Sequence, residues 1–249
     1  EMSASLVGSE MCIRDRRYAD PEPHMRIRFK SDNAMKNIPK YTKWLSHLCH
    51  EKVISRYEVG CYEREIERYG GVRGIDIAEE VFYIDSRIAE KILLLKQQGK
   101  IKYSDEVIGI VSTIMYMEQY GWNFEQQLCW LNTFIKKEEY KTEYNKNRKI
   151  YEKLCNSSNS WDNFCQSEDG KILKRLFDAR QTSVNEYRQA INQKSITTDE
   201  RIVIAGLIHL SFNRLFGMNR EFERKVMAFT RHTLYSLRYV KERINEDNL

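Results

Sequence analysis

The sequence predicts an α+β fold, with a small, mainly antiparallel sheet near the N-terminus and a predominantly helical remainder. Three observations support this class. Only 3 prolines and 11 glycines occur among 249 residues, which favours long helices over an all-β sandwich. One short segment near the N-terminus alternates between basic and apolar residues, as a strand with two different faces does. From Ile77 onward, apolar residues recur every three or four positions, which is the spacing of a helix face.

Composition argues against several classes of protein. Charged residues make up 31% of the chain and aromatic residues 12%, which is typical neither of a membrane protein nor of a disordered one. The net charge of +5 is small, and its charges are too evenly interspersed to indicate nucleic-acid binding. The six cysteines form no CxxC pair, so zinc and redox motifs are missing from the sequence. We therefore expect a cytoplasmic protein with no metal, no cofactor, no membrane span and no direct nucleic-acid contact.

The first 16 residues differ from the rest of the chain. They show no periodicity, no helix cap and none of the features of a signal peptide. The stretch SLVGSEMCIRDR is similar to translated sequencing-library adaptor. We therefore expect residues 1–16 to be non-native, and residues 17–249 to form one domain that lacks its first strand.

Residues 24–30 are predicted to form a strand with one basic face and one buried face. The basic positions alternate with the apolar ones: His24, Arg26, Arg28 and Lys30 against Met25, Ile27 and Phe29. A helix is expected at residues 39–52, with proline in its first turn. A second strand is expected at residues 54–62, where Gly60 suggests a bulge.

The rest of the chain is predicted to be mainly helical. One or two helices follow the glycine pair at residues 70–71, with Asp85 and Ser86 as the cap of the second. Thr197 and Glu200 form a capping box before a later helix, and Asn219 caps the last one. The later helices are expected at residues 106–120, 124–138, 139–154, 172–190, 198–216 and 220–240.

The basic strand is the first candidate for chemistry. His24, Arg26 and Arg28 project side by side, because residues two apart share one face of a strand. Two guanidinium groups about 7 Å apart repel each other unless an anion lies between them, and their forked donors suit a carboxylate or a phosphate. A basic strand that simply faces solvent is the alternative.

Two further groups lie on predicted helical segments. Arg64 and Arg68 stack on one side of the turn YEREIERYGG, where surface ion pairs are the alternative to a binding role. His209 lies on or beside the buried face of its helix, and Asn213, one turn later, is placed to fix its tautomer. A histidine that only satisfies the core is the alternative there.

Four motifs together resemble one family. RYADPEPHMRIRFK resembles the start of the C-terminal domain of nisin-type lanthipeptide dehydratases, which carries an aromatic-x-Asp-Pro-x-x-His-x-Arg-x-Arg signature. CYEREIERYGG is similar to that family's Tyr-Glu-x-Glu-x-x-Arg-Tyr-Gly-Gly motif. VFYIDSR and LIHLSFNRLFG are similar to its Phe-x-x-Asp-Ser and His-x-x-x-Asn-Arg segments. The four motifs follow the family's order.

This resemblance implies glutamate elimination. In the family, a separate region uses glutamyl-tRNA to glutamylate Ser or Thr side chains of a precursor peptide. The domain resembled here then removes the glutamate and leaves dehydroalanine or dehydrobutyrine. By motif, the catalytic residues are Arg26, Arg28, Arg68 and His209. The neighbouring residues expected to bind substrate are His24, Arg64, Asn213 and Arg214.

The resemblance also implies partners. They are a glutamylated precursor peptide, a separate or lost glutamylating region, a cyclase and, in a homodimer, a second copy of the chain. Two other functions stay open on sequence alone. A thiopeptide pyridine synthase, which joins two dehydroalanines, would share the fold without needing every arginine. A non-catalytic partner would present the precursor peptide by strand pairing. Retention of all four catalytic residue types favours elimination.

Overall fold

The computed structural model describes residues 12–18, 22–30 and 33–246. Two strands, β1 (Cys12–Tyr18) and β2 (His24–Lys30), come first. The helices that follow are α1 (Ala34–His50), α2 (Val72–Gln97), α3 (Asp105–Gln119), α4 (Phe124–Asn132), α5 (Lys141–Leu154), α6 (Glu168–Asp178), α7 (Gln181–Asn192), α8 (Glu200–Phe216) and α9 (Arg220–Glu246). Short 3-10 turns form at Glu67–Tyr69 and Phe164–Gln166. The predicted α+β class is confirmed.

β1 and β2 form an antiparallel ribbon in which Tyr18 pairs with His24. The limits of β2 are those predicted from the alternation of basic and apolar residues. Because paired residues of neighbouring strands share a face, Tyr18 lies on the same face as His24, Arg26 and Arg28. This shared face carries the basic side chains of the candidate site.

The strand β1 includes residues 12–16, which the sequence analysis assigned to a non-native segment. Residues 1–11 lie outside the described residues. A strand is held by backbone hydrogen bonds that almost any extended sequence can make, so its formation does not reveal where these residues come from. Their non-native origin stays a prediction. The absence of an opening strand from the native domain likewise stays a prediction, while in this chain β1 pairs along the whole of β2.

The second strand predicted at residues 54–62 is wrong. This segment is irregular, and its Val59 is exposed, as is Val53 just before it. Tyr57 makes a hydrogen bond of 2.9 Å with Ser46 of α1. A strand needs a neighbouring edge to satisfy its backbone, and the sheet in the described ranges contains β1 and β2 alone. Residues 54–62 therefore form a surface segment that links α1 to the core.

Tertiary contacts set several helix limits that local capping signals did not predict. Asp85 and Ser86 are buried inside α2 and do not cap a helix. Asp199 caps α8 in place of Thr197, because its side chain accepts the backbone N–H of a residue two positions later at 2.7 Å. The helix expected at residues 172–190 is divided into α6 and α7, which meet at the buried Arg180.

The core is built around α2, α3 and α8. Ile75, Ile108 and Ile204, one from each helix, are completely buried. Within the described ranges, no single helix has both the length and the apolar composition needed to cross a membrane. α8 and the part of α9 up to Arg238 meet that criterion only as a pair, and the pair is bent by 119°.

The core also encloses charged side chains. Asp85 accepts hydrogen bonds from Arg180, Arg214 and Ser211 at 3.3, 3.3 and 3.2 Å. The Arg180 guanidinium is fully buried, and its central carbon lies 3.5 Å from the centroid of the Tyr116 ring. Burial raises the pKa of the Tyr116 hydroxyl, which therefore stays neutral. One buried carboxylate thus holds two buried guanidinium groups that come from different parts of the chain.

We expect His232 to make the fold less stable in mild acid. Burial lowers the pKa of His232, whose Nε2 donates a hydrogen bond of 2.8 Å to the Glu139 carbonyl. The unfolded chain then binds a proton at about pH 6.5 while the folded chain does not, so the free energy of unfolding falls as the pH drops below that value. The slope levels off below the lowered pKa, where both states are protonated.

Urea titrations between neutral pH and pH 5 test this expectation. His232→Gln keeps a donor for the Glu139 carbonyl but does not titrate, and should flatten the slope. His50→Gln, at an exposed position, should keep the wild-type slope. An unchanged slope in His232→Gln would contradict the assignment.

Candidate active site

Helix α8 brings three parts of the chain together along one side. Gly206, His209 and Asn213 are spaced three and four residues apart, so they lie on one helix face. At Gly206, the Tyr69 ring lies 3.9 Å from where a Cβ atom would be, so this ring packs over the helix backbone. His209 contacts α9, and Asn213 contacts β1. The predicted catalytic residues are positioned by these three contacts.

Asn213 holds the ribbon against α8. Its Oδ1 accepts the backbone N–H of Arg17 at 2.9 Å, and its Nδ2 donates to the Arg17 carbonyl at 3.0 Å. Both hydrogen bonds are partly buried. Asn213 therefore does not fix the tautomer of His209, and its amide is already used, so the structure does not support a substrate-binding role. Asn213 instead fastens β1, and with it the ribbon, to α8.

We expect Asn213→Ala to loosen the ribbon. The change removes two partly buried hydrogen bonds, each worth about 1 kcal/mol. Hydrogen exchange of the Arg17 and Tyr18 amides should become faster. Asn192→Ala, at an exposed position on α7, serves as the control. Unchanged exchange at the Arg17 amide would show that the ribbon is held by other contacts.

His24 and Arg26 pack around the Tyr18 ring. The His24 ring stacks on it at 5.1 Å between centroids, and the Arg26 guanidinium carbon lies 4.1 Å from its centroid. His24 Nδ1 lies 2.8 Å from the Glu22 carbonyl oxygen, which only accepts, so Nδ1 carries the proton. His24 Nε2 then accepts from Arg26 Nε at 3.2 Å. His24 thus orients Arg26 from the side.

Arg28 lies next to this group on the same strand face. Its Nη2 donates to the Tyr18 hydroxyl at 3.5 Å, and its guanidinium carbon lies 4.9 Å from the centroid of the Tyr62 ring. In the part of the chain that the structure describes, neither Arg26 nor Arg28 forms an ion pair with a carboxylate. Two permanently charged groups are therefore held by aromatic rings, and no carboxylate among the described residues neutralises them.

The arginines of the second motif differ from each other. Arg64 forms two hydrogen bonds of 3.1 Å to Glu79 and one of 2.5 Å to Asp76, both on α2. The bond to Asp76 raises the pKa of Arg64. Arg64 is thus used to fix its segment to α2, and a substrate-binding role is not supported. Arg68 is nearly half exposed and pairs with Glu65 at 2.9 Å.

The two glycines after Arg68 determine where it lies. Gly70 has a φ of 85° and Gly71 a φ of 103°, which side chains with a Cβ rarely adopt. A Cβ at Gly70 would lie 2.3 Å from a methyl carbon of Ile196. The Gly70 carbonyl accepts the Thr197 backbone N–H at 3.1 Å, just before α8 begins. Arg68 is therefore fixed near the N-terminal end of α8.

His209 pairs with a carboxylate that the sequence analysis did not single out. Its Nδ1 lies 2.8 Å from Glu223 Oε2 and 3.1 Å from Oε1. A carboxylate only accepts, so Nδ1 carries the proton, and in the neutral ring the lone pair is on Nε2. The His209 side chain is 40% exposed, so a substrate can reach it.

Arg214 lies in the core and away from this face. Its side chain is 1% exposed, and Nη1 donates to Asp85 at 3.3 Å. The structure therefore does not support the prediction that Arg214 binds substrate. Among the described residues, no group of three or more histidine, cysteine or acidic side chains could hold a metal ion.

The predicted residues thus fall into three groups. One is His209 alone, which pairs with Glu223. Four others lie on the ribbon or near the N-terminal end of α8 without bonding His209 directly: His24, Arg26, Arg28 and Arg68. Three have structural partners instead: Arg64, Asn213 and Arg214. The sequence analysis missed Tyr18, Tyr62 and Glu223. The tyrosines lie inside the quoted motifs, but Glu223 is 14 residues from His209, a separation that no helix or strand rule connects.

This arrangement defines a helical domain with a basic two-stranded ribbon and a histidine–carboxylate pair beside it. Residues 16–234 match the family model for the C-terminal part of the lantibiotic biosynthesis dehydratase, and the chain belongs to this family. The predicted family is confirmed.

Curated relatives point the same way. The chain is 38% identical over 228 residues to the subtilin biosynthesis protein SpaB of Bacillus subtilis. It is 24% identical over 225 residues to the nisin biosynthesis protein NisB of Lactococcus lactis subsp. lactis. Each alignment covers 90% of this chain and 22% of the relative, so the chain spans about a fifth of their length.

A solved structure has the same fold. The crystal structure of the tRNA-dependent lantibiotic dehydratase MibB from Microbispora sp. 107891 superposes with a TM-score of 0.83 at 20% identity. The match covers 94% of this chain and 25% of that one.

Proposed function

We propose that this chain eliminates glutamate from glutamylated Ser or Thr residues of a ribosomal precursor peptide, as a lyase, and leaves dehydroalanine or dehydrobutyrine. Membership in the dehydratase family supports this reaction. The observation that carries the proposal is the pair Arg26 and Arg28, two guanidinium groups without a carboxylate partner in the described ranges, on the ribbon held to α8. The leaving group would supply the anion that they lack.

The reaction needs a proton acceptor and a stabilised leaving group. A base takes the Cα proton, the electrons of the C–H bond form the Cα–Cβ double bond, and the Cβ–O bond breaks. The electrons of that bond leave on the carboxylate of glutamate. Negative charge develops on the peptide carbonyl oxygen and on the departing carboxylate. The elimination is balanced in atoms and electrons without a redox partner or a cofactor.

The side chains at the site suit these requirements. His209 Nε2 carries the lone pair of the neutral ring and would take the Cα proton. Arg26 and Arg28 would hold the glutamyl carboxylates with forked donors that stay protonated throughout. Arg68 is exposed enough to exchange Glu65 for a substrate anion, and His24 keeps Arg26 oriented.

The partners are part of the same proposal. A glutamylating region would supply the ester from glutamyl-tRNA, which places the reaction in the cytoplasm. The dehydrated peptide is an electrophile that a cyclase could consume. Pyridine formation from two dehydroalanines releases no glutamate, so it gives no reason for two guanidinium groups that lack a carboxylate partner among the described residues. A module that only presents the peptide would not need a histidine–carboxylate pair.

Mass spectrometry on a synthetic precursor peptide with one glutamylated serine tests the function. We expect the wild-type chain to release glutamate and form dehydroalanine. His209→Asn keeps a donor for Glu223 but lacks Nε2, so elimination should fall about 10²- to 10⁴-fold. Release of glutamate by His209→Asn at the wild-type rate would contradict the assigned base. No release by the folded wild-type chain, with conversion of a bis-dehydroalanine peptide, would favour cyclisation instead.

A further inference from the structure

The corner between α8 and α9 holds His209 and Glu223 together. Gly217, with a φ of 78°, ends α8, and Asn219 caps α9 by accepting the Phe222 backbone N–H at 2.9 Å, as the sequence predicted. The two helices meet at a bend of 119°. This bend returns the first turn of α9 toward the middle of α8, so residues 14 apart in sequence make contact.

Aromatic packing makes this corner rigid. The rings of Phe212 and Phe216 lie 5.2 Å apart between centroids, and those of Phe216 and Phe222 lie 5.1 Å apart. Both contacts are edge-to-face, the geometry that aromatic pairs favour. Phe222 directly precedes Glu223, so the ring contacts that join the two helices also fix the position of the Glu223 backbone.

The neighbours of Glu223 have carboxylate partners of their own. Arg224 forms bonds of 2.5 and 3.0 Å with Glu139, and Lys225 pairs with Glu106 at 2.9 Å. These ion pairs fasten the first turn of α9 to two other parts of the chain. They leave Glu223 facing His209, and among the described residues its carboxylate bonds no other side chain.

We propose that Glu223 is the positioning residue of His209. Both of its oxygens approach Nδ1, so it holds the tautomer whose lone pair is on Nε2 and fixes the plane of the ring. When Nε2 takes the Cα proton, the carboxylate stabilises the imidazolium that forms. This second role rests on the proposed elimination, whereas control of the tautomer does not.

Because His209 and Glu223 are partly exposed, a positioning role for Glu223 can be told apart from a role in stabilising the fold. The side chains of His209 and Glu223 are 40% and 22% exposed, so water screens their interaction and it adds little to the stability of the fold. Loss of the carboxylate behind a catalytic histidine can reduce kcat by about 10⁴-fold where the group is buried. For this more exposed pair, we expect Glu223→Ala to lower kcat about 10²-fold with little change in stability.

Nitrogen NMR of the labelled histidine side chains tests the tautomer directly. At alkaline pH, we expect the proton of His209 to be on Nδ1 in the wild-type chain, and the two tautomers to mix in Glu223→Ala. Glu221→Ala, on the same turn at an exposed position, should keep the wild-type tautomer. An Nδ1 proton that is retained in Glu223→Ala would overturn the proposal.

Kinetics test the second role. Glu223→Ala should lower kcat with KM nearly unchanged. Glu223→Gln can still accept the hydrogen bond from Nδ1 through its amide oxygen but carries no charge, so it should give an intermediate kcat. A change in KM alone, with wild-type kcat in Glu223→Ala, would overturn this role. If the wild-type chain does not eliminate glutamate, the proposed function fails, but the NMR result still decides whether Glu223 controls the tautomer.

Discussion

Replacing Arg26 and Arg28 together with glutamine should reduce glutamate elimination by at least about 10³-fold, because one lost donor to a developing oxyanion typically costs about 10²- to 10³-fold. Both guanidinium groups are held by aromatic rings and lack a carboxylate partner in the described part of the chain. Glutamine keeps hydrogen-bond donors but carries no charge. The measurement is the rate of glutamate release from a glutamylated peptide.

Two further variants sharpen this prediction. Arg26→Lys keeps the charge but loses the planar fork and its stacking on Tyr18, so it should be slower than wild type and faster than the double variant. Arg175→Gln, at an exposed position on α6, should eliminate at the wild-type rate. The anion-binding role is wrong if the double variant retains most of the wild-type activity.

Asp85→Ala should destabilise the fold by about 3–5 kcal/mol, the usual cost of breaking a buried ion pair. The substitution leaves the guanidinium groups of Arg180 and Arg214 in the core without their carboxylate. Water cannot replace it, because both arginines are almost completely buried. The free energy of unfolding from urea titrations gives the size of the effect.

A surface ion pair provides the control for this prediction. Asp178 pairs with Lys174 on α6, and Asp178→Ala should cost at most about 1 kcal/mol. A triple variant with apolar residues at 85, 180 and 214 should regain most of the lost stability, since no buried charge remains unpaired. Equal costs for Asp85→Ala and Asp178→Ala would show that the buried cluster is not what holds these helices together.

The sequence was sufficient to predict those features that depend on residues close together in the chain. The alternation of residues 24–30 predicted β2 and the face that carries Arg26 and Arg28. Asn219 was predicted as a cap from its place before an apolar helix, and it is one. In these cases the residues that determine the structure are neighbours in the chain, so spacing alone is enough.

Sequence spacing did not predict the role of a residue whose partners are distant in the chain. Asp85 was predicted to cap a helix, because spacing could not reveal its actual partners. These are Arg180 and Arg214, which lie about a hundred residues away in the chain. Asn213 is one helical turn from His209, yet its amide binds the backbone of Arg17. The strand predicted at residues 54–62 has no sheet edge to pair with in the described ranges. Glu223 was missed because only the bend after Gly217 brings it to His209.

Binding of an unreactive substrate tests the central claim most directly, namely that one site contains separate groups for anion binding and for proton transfer. The probe is a precursor peptide in which an amide replaces the glutamyl ester, measured by calorimetry. We expect the wild-type chain and His209→Asn to bind it equally, and the double glutamine variant of Arg26 and Arg28 to bind it at least about tenfold more weakly, as for a lost charged contact. Equal binding by all three would contradict the account, because the arginine pair would then not hold the glutamyl group.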